Sequence, residues 1–153
     1  MCHVPPGSAG FAYGLVLFGT TWLIAHWRCP FPSITFEPRG PGSFENRLVN
    51  YTKVAETVIG LASGSVIALV GSSVLRTNSH LPWYFASPLV LLGLTVSYSV
   101  LFIAFLTRFY EDFLHFPSSY TKFRYLLVQA FGFSALLCFP TAYVWLAFAL
   151  GNN

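Results

Sequence analysis

The sequence predicts an all-α fold: an integral membrane bundle of four transmembrane helices, with a short amphipathic extension leading into the second. Three observations carry this. The chain of 153 residues is 55% hydrophobic and 8% charged, against roughly 25% charged in soluble domains. Its eight bases and five acids fall almost entirely between long uncharged runs. Within those runs, small residues recur at helical intervals, as close packing of helices in lipid requires. A single domain over residues 1–153 is the natural count at this length.

The first helix is expected at about residues 9–27. Pro5, Pro6 and Gly7 hold the chain extended before it, and Trp22 and Trp27 suit a membrane interface. Gly10 and Gly14 form a GxxxG pair, a weak signal by itself because glycine is common in membrane helices. The opening MCHVPPGSAG carries no Lys or Arg, unlike the positive start of a cleavable signal, so the run reads as a mature membrane helix. The loop after it holds Pro30, Pro32, Pro38 and Pro41, which exclude a helix.

The second helix is expected at about residues 44–75, with Ser43 as its N-cap. Phe44, Leu48, Tyr51 and Ala55 recur at three and four, giving an amphipathic turn or two at the interface. From Thr57 to Leu75 no charge occurs. These 19 positions measure about 28 Å as a helix, close to a hydrocarbon core of about 30 Å. Gly60, Gly64, Ala68 and Ser72 follow at intervals of four with Gly71 beside them, so they share one face. Bulky Val58, Val66, Leu69 and Val70 lie elsewhere. Such a groove admits a second helix closely, and the reading makes this helix the packing centre of the bundle, with a helix of the same chain as the favoured occupant.

The third helix is expected at about residues 82–115, with Pro82 in its first turn. Its uncharged stretch, Leu81 to Thr107, is longer than a perpendicular crossing needs, and tilt or a kink near Pro88 absorbs the excess. The fourth is expected at about residues 121–150, capped by Ser118 or Ser119 and kinked at Pro140.

Basic residues set the threading. With four spans, Arg28, Arg39, Arg47, Lys53, Arg108, Lys122 and Arg124 lie on one side and Arg76 on the other. By the positive-inside rule both termini are non-cytoplasmic, in a cell or inner membrane. Asn50-Tyr51-Thr52 is then a chance sequon on the cytoplasmic side.

Chemistry-bearing residues are few. Asp112 and His115 share a helix face at i, i+3, a spacing that bundle metal sites use with further ligands. The favoured reading is instead a surface ion pair of Arg108 with Glu111 or Asp112. Lys53 and Glu56 form a similar candidate pair. His26 and Cys29 have an H-x-x-C spacing but lack the further ligands zinc needs. His26, His80 and His115 stand at span ends, not at mid-membrane where a haem would want them. Ser63 and Ser65 have no nucleophile-elbow setting. Cys2, Cys29 and Cys138 make no disulfide framework. The reading assigns no catalytic residue and no cofactor. Scattered bases without a basic stripe give no nucleic-acid signature.

The function that follows is a non-enzymatic membrane protein that packs helices, with the lipid bilayer and a second copy or a larger membrane complex as partners. Two alternatives stay open: a passive channel or transporter lined by small and hydroxyl residues, and a metal- or haem-binding membrane enzyme.

Overall fold

The computed structural model describes residues 7–28, 44–71, 83–116 and 121–151, and these form four helices: α1 (Ser8–Arg28), α2 (Phe44–Gly71), α3 (Trp83–His115) and α4 (Lys122–Gly151). All four are long and apolar enough to cross a membrane. The chain is a multi-pass membrane protein with an all-α, four-helix architecture. The Ser43, Pro82, Ser118 and Ser119 positions, Ser72 to Leu75, and the proline-rich first loop lie outside the described residues.

Helix ends follow local chemistry. Gly7 adopts φ 107°, a conformation that costs a side-chain-bearing residue strain, and its carbonyl accepts from Phe11 N at 3.0 Å to open α1. At α4 the cap is Thr121, not Ser118 or Ser119: its Oγ1 accepts from the Arg124 N–H at 3.4 Å. Helix assignment is unbroken through Pro88 and Pro140.

The packing centre is α3, not α2. α3 touches all three other helices, its main partner is α4, and α1 and α2 share no contact. The α3–α4 pair thus forms the middle of the bundle, with α1 and α2 set apart. The core holds Ala62 of α2, Leu91, Leu92 and Tyr98 of α3, and Ala135, Cys138 and Ala142 of α4. Small residues at Ala62, Ala135 and Ala142 are fully or almost fully buried, so backbones approach and dispersion contacts add up over several turns.

Two glycine contacts explain how close. A Cβ on Gly10 would fall 2.5 Å from the Ser87 carbonyl oxygen, and one on Gly14 would overlap Leu94 Cδ1. The Gly10/Gly14 pair therefore seats α1 on α3. The Phe102 ring lies over Gly132 of α4, where a Cβ would meet it at 2.9 Å; Tyr51 of α2 meets the same ring edge-on at 6.4 Å.

Most polar groups inside the bundle are paired, with the buried Ser99 Oγ the exception among the described residues. Thr21 Oγ1 donates to the Phe18 carbonyl at 2.9 Å, so Ser134, 2.9 Å away, donates to Thr21 and ties α4 to α1. The Tyr98 hydroxyl donates to the Gly14 carbonyl at 3.4 Å. Ser65 donates to the Leu61 carbonyl at 2.7 Å and accepts from Tyr143, which joins α2 to α4. Such pairing matters because an unsatisfied polar group in hydrocarbon costs several kcal/mol.

The expected amphipathic extension is one continuous helix with α2, and it packs on protein. Phe44 and Leu48 lie against Tyr110 and Phe113 near the end of α3, with the Phe44 and Tyr110 rings 5.2 Å apart and the Tyr110 hydroxyl 3.2 Å from Glu45 Oε1.

Candidate functional site

α2 buries Ala55, Val58 and Ala62, while Val66 and Leu69 pack on the core cluster. At about 100° per residue, Gly60 and Gly64 point about 160° away from Ala62, and Gly71 about 180° away. All three are exposed, as is Ala68, and a Cβ built on Gly60, Gly64 or Gly71 meets none of the described residues within 4 Å. Ser72 lies outside the described residues. The groove expected to receive a helix of this chain receives none among the described residues. The correction has a physical cause: Val58, Val66 and Leu69 offer α3 more dispersion surface than a glycine face does. The four-residue interval identifies a face that admits a backbone; it does not say whose backbone.

The same outward face continues toward the chain's basic side. Lys53 lies seven residues before Gly60, about two turns, and Glu56 four residues before it. Both are exposed. They form no ion pair with each other or with any described residue, contrary to the expected Lys53–Glu56 bridge. The outward face of α2 thus carries a cation and a carboxylate without an ion-pair partner among the described residues, and then a track of glycines flanked by Leu61, Ile67 and Val70, which are all exposed.

The acidic cluster resolves differently from expectation. Asp112 Oδ2 accepts from Arg124 Nη1 at 2.7 Å, and this is the ion pair among the described residues; Arg108 and Glu111 take no part. The Arg124 guanidinium also covers the Phe109 ring at 4.9 Å. Sequence reasoning looked along one helix for the partner of Asp112, whereas the partner sits across the loop on α4. His115 is exposed, and no group of three or more His, Cys, Asp or Glu among the described residues is placed to share a metal ion. Cys29 lies outside the described residues, and Cys138 is a buried free thiol in the core.

The hydroxyls of α3 differ in their surroundings. Ser97 is exposed and donates to the Gly93 carbonyl at 3.0 Å. Thr95 is buried and donates to the Leu91 carbonyl at 2.9 Å. Ser99 is buried too, and Leu91 and Leu92 fill the adjoining core.

Comparison with protein families, with curated proteins and with solved structures finds no match. The functional reading therefore rests on the residues of this chain.

Proposed function

We propose that this multi-pass membrane protein is a non-enzymatic helix-packing protein that self-associates through the outward face of α2. The observation that carries the reading is the open space over Gly60, Gly64 and Gly71 on the side of α2 opposite its buried residues. In lipid, helices gain from contact mainly through dispersion and close backbone approach, and this face is the one along α2 built for that. The exposed Lys53 and Glu56 support a second copy as the occupant. In a two-fold interface residue i meets j and j meets i, so two parallel α2 helices bring Lys53 of each near Glu56 of the other at the edge of the glycine track.

The test is the molar mass of the detergent-solubilised protein, corrected for bound detergent, with Gly64→Leu beside the parent. The parent is a discrete oligomer. Gly64→Leu falls to the monomer mass while its helix content is retained, because a Cβ at this exposed position meets no described residue within 4 Å. A monomeric parent, or a Gly64→Leu oligomer of parental mass, contradicts the proposal. A parent that is monomeric alone but co-purifies at fixed stoichiometry with another membrane protein assigns the face to a complex instead.

The threading belongs to the same proposal. Four crossings place both chain ends on one side, and the contact of Tyr13 with Trp145, rings 6.3 Å apart, supports that pairing of ends. The excess of bases at the opposite ends of the spans makes that opposite side the cytoplasmic one.

A further inference from the structure

A groove of about 410 Å³ runs between α1 and α4, helices that pack against each other, whereas α1 and α2 share no contact. It is lined by Arg28 at its polar end, by Gln129, and by apolar Ile24, Phe133, Leu136 and Leu137. Its α4 wall reaches from Tyr125 to Leu137. Twelve steps of about 1.5 Å give about 18 Å, a little over half of a hydrocarbon core of about 30 Å. The groove is thus about one leaflet long, which is the reach of a lipid chain from headgroup level to mid-membrane. Its volume is within the range of about 300–1,000 Å³ for small-molecule sites.

The polar groups are graded along it. Arg28, the last residue of α1, is exposed and has no carboxylate within 4 Å among the described residues. Trp27 beside it is 87% exposed, as suits an aromatic anchor at the interface. Gln129 follows Tyr125 by four residues, about one turn deeper, and its half-buried amide makes no hydrogen bond with a described residue. Below it, Phe133, Leu136 and Leu137 offer only hydrocarbon. We infer that this groove binds one anionic phospholipid, with the phosphate on Arg28, a glycerol ester carbonyl on the Gln129 amide and an acyl chain along Phe133, Leu136 and Leu137. The charge complementarity is specific: a guanidinium without a carboxylate partner among the described residues matches a phosphate in a two-pronged geometry, and a zwitterionic headgroup would bring its own competing cation. The inference is independent of the α2 face, and either can fail without the other.

The test uses the full chain in detergent, incubated with equal amounts of dioleoyl phosphatidylglycerol and dioleoyl phosphatidylcholine and read by native mass spectrometry. The parent retains one phosphatidylglycerol in preference to phosphatidylcholine. Arg28→Gln reduces that preference about tenfold, the scale of a lost charge-assisted hydrogen bond. Arg47→Gln, an exposed base on α2, leaves it unchanged. Ala25→Phe, which fills the groove from α1, removes retention of both lipids. Equal retention of the two lipids by the parent, or an undiminished preference in Arg28→Gln, overturns the inference. It is also overturned if Ala25→Phe keeps the lipid but lowers the oligomeric mass, since the groove is then covered by a second copy.

Discussion

A Cβ on Gly10 would press on the backbone of Ser87, while one on Gly14 would press on the far end of the Leu94 side chain. The two sites differ in what can move: a leucine can change rotamer, but a helix backbone shifts only with the whole helix. Gly10→Ala is therefore expected to destabilise the protein by about 1–3 kcal/mol, the usual scale of overpacking, and Gly14→Ala by less. Gly64→Ala has no neighbour to displace, and removing a mid-helix glycine is worth roughly 0.5–1 kcal/mol to the helix itself, so its monomer is expected to be at least as stable as the parent's. Thermal unfolding in detergent, followed by circular dichroism, ranks the three. With all three compared at dilutions where they are monomeric, a ranking with Gly64→Ala below Gly10→Ala would show that the α1–α3 contact is not tight and that the Gly64 face packs inside the monomer.

At the scale of elements, the ends of α3 and α4 are joined by the Asp112–Arg124 bridge and by Arg124 over Phe109. The pair is partly exposed, at 38% and 30%, and such pairs are worth about 0–1 kcal/mol; the ring contact adds about 0.5–1 kcal/mol at an exposed site. Arg124→Gln is therefore expected to cost more than Asp112→Asn in the same unfolding assay, and Arg108→Gln nothing. A loss with Arg108→Gln equal to that with Arg124→Gln would restore the expected bridge within α3. These elements also show what the sequence could convey. The four spans were legible because uncharged length is all that a membrane crossing demands. The continuity of residues 44–71 was legible from apolar positions at three and four. The hub was not: α2 has small residues on two faces, Ala55 and Ala62 on one and Gly60 and Gly64 on the other, and periodicity does not distinguish them. The Gly10/Gly14 pair carries the same signal in a shorter form, and only the approach of Ser87 shows that it is used. Arg124 was missed as the partner of Asp112 because the helix rule of three and four residues sees no further than one helix.

In the whole molecule, a tight α3–α4 centre carries two outer helices with different faces toward the membrane. A reporter fused at Asn153 is expected to be active only in its exported form, and one inserted near Gly40 only in its cytoplasmic form; the reverse pattern would invert the threading without changing the fold. On the proposed function, the glycine track of α2 faces a second copy. Ile67, 72% exposed on that face, and Val16, 60% exposed on α1, both turn away from the protein interior, and α1 makes no contact with α2. The most direct measurement is cysteine cross-linking in intact membranes, with Ile67→Cys and Val16→Cys each placed in a chain whose own cysteines are replaced by alanine. Ile67→Cys is expected to give a cross-linked dimer that is lost when Gly64→Leu is added, and Val16→Cys is expected to give none. No dimer from Ile67→Cys, or equal dimer from both positions, would contradict the proposed function.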